Sequence, residues 1–327
     1  MSKPRILLAD TSFKAARLLE EPRYIELVSI ADTVYKIPSS EDEMCDLVKD
    51  VSAVIVGDFP VTPRVFDSAS KLKLVAKCGV GYDNIDVDYA TKRGVIVTNV
   101  PSVLSGPVAE HAVLLMLAVA RKLVAADSSV RTNTWNEFTS REPGFELSGK
   151  TLGVIGFGAI GSRLADMAHN AFNMKILAYD PVVKPEKIRE HAAEPVSLDQ
   201  LLARADIVSV HVPLSPATRR LIGERELRKM KPSSVLINTS RGKVLDEKAL
   251  ENALISGWIT AAGIDVFEEE PPDPKSPLLK LPNITMTPHT AAFTSEATKA
   301  LWLACIGAAI DVIQGTRPRA PANILNT

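Results

Sequence analysis

Aromatic side chains make up only 5% of this 327-residue chain, cysteines number three, and no apolar run approaches the length of a membrane span. Each scarcity removes a class of protein. Cys45, Cys78 and Cys305 are far apart and odd in number, which argues against a disulfide framework or a zinc site. They fit a reducing compartment, so the cytoplasm is the expected location and no metal is expected. The most apolar stretch, residues 108–120, is interrupted by Glu110 and His111, and the opening MSKPRILLAD reaches an acidic residue after a very short apolar run. Neither is a membrane helix or a signal peptide. Charge of one sign is lacking too: 38 Lys and Arg nearly cancel 39 Asp and Glu, and no block of like charge stands out. That excludes the basic footprint of a nucleic-acid binder and the charged face of a protein held at an anionic membrane. Small neutral or anionic ligands remain.

What is present is a nearly continuous alternation of short apolar runs with helical patterns, the arrangement of parallel strands covered by helices on both faces. The fold class is α/β, and the length exceeds the usual size of one domain. Strands are predicted over 5–9, 53–56, 74–76 and 96–98, enough for a small doubly wound sheet. From Pro101 a long helix is expected through Leu123, started by Ser102 or Ser105 and apolar on nearly every face. So apolar a helix is buried, either across the core or against a second subunit. The second option is favoured because the helix joins two sheet domains, and a homodimer is the expected assembly. Six more strands follow, over 152–155, 175–179, 207–211, 235–238, 261–265 and 284–287. A last helix over 295–314 is expected to pack back on the first domain. The predicted organisation is a first sheet domain from residues 1–100, a second over 101–290, and a returning segment over 291–327.

The stretch TLGVIGFGAIGSRLADMAHN combines a buried strand, a GxGxxG loop and a helix. Gly156 permits the tight turn, Gly158 lets backbone approach a pyrophosphate, and Gly161 allows close helix–strand packing. The helix start at Ala159 and Ile160 offers unpaired N–H groups and a positive dipole end. The next strand ends in Asp180, nineteen residues beyond Gly161, where a carboxylate can accept from both ribose hydroxyls and repel a 2′-phosphate. NAD, as NADH in reduction, is therefore expected, and NADP is the less favoured cofactor. His211 and Pro213 follow the next strand where the chain leaves the sheet, and with Thr218 they are expected to flank the cofactor.

Five histidines can be weighed against one another. His111 sits in the apolar helix and reads as structural, His169 suits a helix C-terminus, and His191 lies in a charged stretch. His289 instead terminates a strand at the sheet edge where the nicotinamide half of a cofactor belongs. A carboxylate accepting from its Nδ1–H would set the tautomer, so that the imidazolium acts as acid in reduction and the imidazole as base in oxidation. Glu270, ahead of a Pro-Pro pair, is one of three adjacent glutamates able to do this. Arg241 follows another strand and precedes Gly242, and its planar fork suits a carboxylate with an adjacent carbonyl oxygen.

In order and spacing, GFGAIG, YDP, VHVPL, INTSRG, GIDVFEEEPP and TPHTA resemble the D-2-hydroxyacid dehydrogenase family, which includes D-3-phosphoglycerate dehydrogenase. The resemblance runs nearly end to end, through KCGVGYDNID and AEHAVLLMLA. It implies a Rossmann NAD-binding domain inserted in a flavodoxin-like substrate domain. It also selects Glu270 over Glu268 and Glu269, and implies a substrate-orienting Arg241, a supporting Glu270 and a general acid/base His289. Asp265, with backbone at Thr239 and Ser240, takes the nicotinamide carboxamide by the same resemblance. The loop Gly79-Val80-Gly81 resembles the one whose backbone N–H groups hold the substrate carboxylate, with Lys77 beside it. Substrate is then expected between the domains, whose closure excludes water.

Departures from the family bear on the substrate. Phosphoglycerate enzymes carry an arginine before the glycines of this loop and another after the second strand; here Lys77 and Gly57, beside Asp58, stand there. A phosphate facing Asp58 is repelled, and Gly57→Arg is expected to improve binding of a phosphorylated substrate. With the chain ending at Thr327, no C-terminal regulatory domain is expected. Glu270 argues against formate oxidation, where glutamine stands in the family. The expected reaction is therefore interconversion of a small 2-oxo acid and a D-2-hydroxy acid. D-3-phosphoglycerate dehydrogenase in serine biosynthesis and glyoxylate or hydroxypyruvate reductase are the alternatives. A rival from another class is an NAD-sensing corepressor, which predicts long tails or a peptide-docking surface that this sequence does not carry.

Overall fold

A computed structural model describes residues 3–101, 103–140, 143–318 and 321–323. The chain forms two compact units, one from Met1–Leu104 with Phe293–Thr327 and one from Ser105–Ala292. The first contains β1 (Arg5–Ala9), β2 (Asp32–Tyr35), β3 (Val51–Val56), β4 (Leu74–Lys77) and β5 (Ile96–Thr98), in the order β2-β1-β3-β4-β5. All pairings are parallel, and this order is flavodoxin-like. Leu7, Val54, Val75 and Val97 bring their side chains into one core. β2 is absent from the sequence prediction because it is a four-residue edge strand with no buried residue, so no apolar run marks it.

The Ser295–Ile313 helix belongs to this unit. Trp302 is fully buried and donates its Nε1–H to Ser12 Oγ at 2.9 Å, and Lys299 pairs with Glu21 at 2.5 Å. The helix also lies against β3 and β4, with the Cys305 thiol 3.5 Å from the Lys77 carbonyl oxygen.

The second unit carries β6 (Thr151–Ile155), β7 (Lys175–Tyr179), β8 (Ala193–Pro195), β9 (Ile207–Val210), β10 (Val235–Asn238), β11 (Ala261–Ile264) and β12 (Ile284–Met286). Their order is β12-β11-β10-β9-β6-β7-β8. Seven strands replace the six predicted. β8 has three residues, one of them a proline with no N–H to give, which is tolerable only at an edge. The chain winds outward from β6 in both directions, so the switch point falls between β6 and β9, and ligands of such sheets bind outside the carboxyl ends there.

The long helix expected from Pro101 to Leu123 is shorter. It spans Ser105–Ala120, Lys122 takes a left-handed backbone (φ 53°), and a separate helix covers Leu123–Arg131. Ser105 is its first residue rather than its cap, and Ser102 lies outside the described residues. Its inner face packs into the unit through Ala109, Ala112, Leu115 and Met116, while Leu114 and Leu117 are exposed. Gly263 in β11 makes room for it, since a Cβ there would meet Leu115 Cβ at 3.1 Å and Ile237 Cδ1 at 3.0 Å. No helix among the described residues is long and apolar enough to cross a membrane.

Candidate active site

The glycine loop leaves β6 and enters the Ala159–Phe172 helix. Gly156 has φ +90°, and a Cβ on it would meet the His211 backbone at 2.7 Å. At Gly161 a Cβ would meet the Gly156 carbonyl oxygen at 2.1 Å, so the helix can approach the turn only through glycine. Around Gly158 nothing lies within 4 Å of that position, and Ala159 beside it is exposed while Ile160 is half-buried. Open space thus faces the first helical N–H groups.

Asp180 does more than the sequence suggests. Its Oδ2 accepts from Phe157 N at 2.7 Å, and its Oδ1 accepts from Val182 N and Val183 N at 2.8 and 2.9 Å. Three of roughly four acceptor directions of the carboxylate are taken. Room remains on Oδ2 for one ribose hydroxyl, not for the two expected.

His211 accepts or donates at Nε2 with Ser209 Oγ (2.8 Å), while its buried Nδ1 has no partner. Burial lowers its pKa to about 4, so it stays neutral near pH 7. Thr218 Oγ1 donates to the Pro213 carbonyl at 2.6 Å and accepts from Ser215 N at 2.8 Å, closing the loop after β9. At the end of β10 Thr239 Oγ1 is likewise buried without a partner. Two orphaned polar atoms beside an open helix start are what a dinucleotide would satisfy, so the residues present fit that group.

The histidine expected to act lies on the same face. His289 Nδ1 is 2.7 Å from Glu270 Oε2, and Glu270 Oε1 accepts from Phe267 N at 3.0 Å, so the carboxylate is held from both ends. Glu268 turns elsewhere, toward Arg220 at 3.6 Å. Asp265 is fully buried: Oδ1 accepts from Thr287 Oγ1 (2.5 Å) and Thr290 N (2.8 Å), and Oδ2 from Ala291 N (2.8 Å). Expected to meet the nicotinamide carboxamide, it instead presents no surface to a ligand here and anchors the turn that carries His289.

Arg241 stands between β10 and a short 3-10 turn, and its Nη1 donates to the Ser240 carbonyl at 2.8 Å. The turn is stapled by Asn238, a residue sequence reasoning passed over. Its Oδ1 accepts from Ser240 N (3.0 Å) and Oγ (2.8 Å), and its Nδ2 donates to the Arg241 carbonyl (3.1 Å). The signal was a lone amide ending an apolar strand. A Cβ at Gly242 would meet the Phe267 backbone at 1.9 Å, so only glycine lets the Arg241 turn lie against the segment leading to Glu270. His169 and His191 are structural: His169 Nδ1 lies 3.2 Å from the Met174 carbonyl oxygen, and His191 Nδ1 lies 2.9 Å from Asp166 Oδ1.

In the first unit, Lys77 is buried and its Nζ donates to the Gly57 carbonyl (2.7 Å) and Asp58 Oδ1 (2.6 Å). Two of its three donors are therefore spent on the protein, and one is left over for a ligand. Gly79 N donates to the Lys77 carbonyl at 2.9 Å, so this N–H of the loop is turned back on the protein. The carbonyls of Gly79 and Val80 are tied to Val100 N (2.9 Å) and Asn99 Nδ2 (2.7 Å). A Cβ at Gly57 would meet Asp10 Oδ2 at 1.8 Å, so Gly57→Arg requires the Asp10 side chain to move aside.

A switch-point crevice with a glycine loop, a His–Glu pair and an arginine defines a nucleotide-dependent oxidoreductase. Residues 113–291 match the family described as D-isomer specific 2-hydroxyacid dehydrogenase, NAD binding domain. A glyoxylate reductase of Korarchaeum cryptofilum (strain OPF8) is 44% identical over 294 residues, covering 88% of this chain and 87% of that protein. A D-3-phosphoglycerate dehydrogenase of Methanocaldococcus jannaschii is 42% identical over 289 residues, 86% of this chain but 54% of its own length. The crystal structure of D-lactate dehydrogenase from Aquifex aeolicus, complexed with NAD and lactic acid, superposes with a TM-score of 0.81 at 30% identity. It covers 95% of this chain and 96% of that one. The chain belongs to the D-isomer specific 2-hydroxyacid dehydrogenase family. It is an NAD-dependent oxidoreductase interconverting a 2-oxo acid and a D-2-hydroxy acid.

Proposed function

We propose that this enzyme reduces a small, unphosphorylated 2-oxo acid, glyoxylate or hydroxypyruvate, with His289 as the proton donor. The observation that carries the reading of the site is the 2.7 Å contact between His289 Nδ1 and Glu270 Oε2. It commits Nδ1–H to the carboxylate, so Nε2 is the nitrogen that gives its proton to the carbonyl oxygen, and the negative charge stabilises the imidazolium beforehand. Arg241 orients the substrate carboxylate and polarises the carbonyl. Gly158, Ala159, Ile160, Asp180, His211, Pro213, Thr218, Thr239 and Ser240 hold the dinucleotide, Gly156 and Gly161 shaping the loop beneath it. NADH, when bound, supplies the hydride.

The substrate reading rests on the Lys77–Asp58 pair, whose charges offset one another and leave no net positive charge for a phosphate. With purified enzyme and NADH, kcat/KM is expected to be highest for glyoxylate or hydroxypyruvate within a panel that includes pyruvate, branched 2-oxo acids and phosphohydroxypyruvate. Phosphohydroxypyruvate is expected to be at least about tenfold poorer, the equivalent of about 1.4 kcal/mol. A preference for it would favour the phosphoglycerate dehydrogenase reading that the Methanocaldococcus jannaschii relative suggests. Absence of NADH consumption with every member would overturn the site roles.

Asp180 sets the cofactor preference in this reading. Asp180→Ala is expected to narrow the NADH over NADPH ratio of kcat/KM by about tenfold. It also strips the acceptor from Phe157, Val182 and Val183 N–H groups, so thermal stability falls by about 1–3 kcal/mol. An unchanged ratio would move the selectivity to another group.

The assembly we propose is a homodimer in the cytoplasm. Leu114 and Leu117 on one helix and Leu123, Val124, Val130 and Trp135 just beyond it are exposed, more apolar surface than a short segment usually leaves in water.

A further inference from the structure

We propose that His111 is a positioning residue for His289, acting through Thr287 and Asp265 to hold the turn that carries the imidazole. This rests on the reading of His289 as the proton donor. Leu115 packs on Gly263 in β11, and His111 lies one helical turn before it. Four helical residues advance about 6 Å and two strand residues about 6.6 Å. His111 therefore reaches the level of Asp265, just past the end of β11.

There its Nε2 lies 2.9 Å from Thr287 Oγ1 and 3.5 Å from Asp265 Oδ1. The hydroxyl has one proton, and the 2.5 Å contact to Asp265 Oδ1 claims it, because an ionised carboxylate can only accept. Nε2 must then be the donor to Thr287 Oγ1, which defines the His111 tautomer. Asp265, fully buried, passes the constraint on: its carboxylate takes the N–H groups of Thr290 and Ala291, and its backbone carbonyl takes His289 N at 2.7 Å.

His289 needs such holding. Its backbone is left-handed (φ 52°), a conformation unfavourable for a non-glycine residue that persists only where the surroundings impose it. Without the His111 donor, the Thr287 hydroxyl loses the N–H it accepts and the buried carboxylate loses a nearby dipole. The turn then relaxes, and His289 Nε2 leaves its place relative to Glu270 and the substrate.

His111→Phe is expected to lower kcat for 2-oxo acid reduction about tenfold, since a displacement near 1 Å can cost up to about 10². His111→Gln, which places an amide N–H near the position of Nε2, is expected to stay within about threefold of the parent by the same argument. In the apoenzyme, the pH at which the His289 ring titrates by NMR is expected to move down in His111→Phe, because the imidazolium loses part of its contact with Glu270. Thr287→Val removes the middle of the relay and stands in if His111→Phe does not fold. It is expected to lose a similar factor, and the double variant no more than either single one. Equal losses in His111→Gln and His111→Phe, additive losses in the double variant, or an unmoved His289 titration would each overturn the relay. If His289→Ala is inactive while His111→Phe and Thr287→Val both match the parent, the relay fails and the proton-donor reading stands. Normal turnover in His289→Ala would remove both.

Discussion

His289→Ala is expected to lower kcat for 2-oxo acid reduction at least about 100-fold while the Kd for NADH changes little, because general acid catalysis contributes about 10²–10⁴ in rate. The Glu270 contact at 2.7 Å holds the ring in the orientation that presents Nε2, so the variant loses a positioned proton donor. Reduction consumes the protonated ring and oxidation the neutral one. In the parent, kcat/KM for reduction is therefore expected to fall as pH rises through the His289 titration, and that for oxidation to rise over the same interval. Both limbs should vanish in the variant. Steady-state kinetics across pH, with NADH binding followed by fluorescence, provide the check, and near-parental turnover would remove the assignment.

The second large effect is expected at Arg241. Truncating one member of a desolvated charge pair costs about 2–5 kcal/mol, so Arg241→Ala should reduce kcat/KM for 2-oxo acids by a factor on the order of 10²–10³. Inhibition by oxamate, a non-reducible analogue, should weaken in parallel with little change in NADH affinity. Arg241→Lys is expected to recover only a small part, since an ammonium cannot reproduce the planar fork. A variant that keeps oxamate affinity would place the carboxylate elsewhere. The Asn238 staple and the glycine at 242 hold the backbone that carries this arginine against the segment leading to Glu270.

Local patterns made much of this legible. Apolar runs bounded by turns marked four of the five strands of the first sheet and six of the seven of the second, whereas β2 and β8 had no apolar signature to read. The glycine loop carried its meaning because turn, helix start and distal acid sit close together in sequence. The second role of Asp180, as acceptor for three backbone N–H groups, was not visible, since it depends on how the chain folds back after β7.

Contacts distant in sequence stayed hidden. Three adjacent glutamates are equivalent as letters, and composition cannot tell which one points at His289; backbone direction turns Glu270 there and Glu268 toward Arg220. Gly57 read as an absent arginine, yet the space beside its Cα is filled by Asp10, forty-seven residues earlier. His111 read as part of an apolar helix because its partner, Thr287, is 176 residues away.

By itself, then, the sequence determined the α/β class, the dinucleotide loop and the residue types able to move a proton beside a carboxylate, because periodicity and loop chemistry act over a few residues. Tertiary structure alone decided which glutamate meets the histidine, that Lys77 and Gly79 serve the protein before any ligand, and that Asp265 anchors the histidine's turn. Those outcomes depend on distances of a few ångströms between strand ends, which the order of residues along the chain does not encode locally.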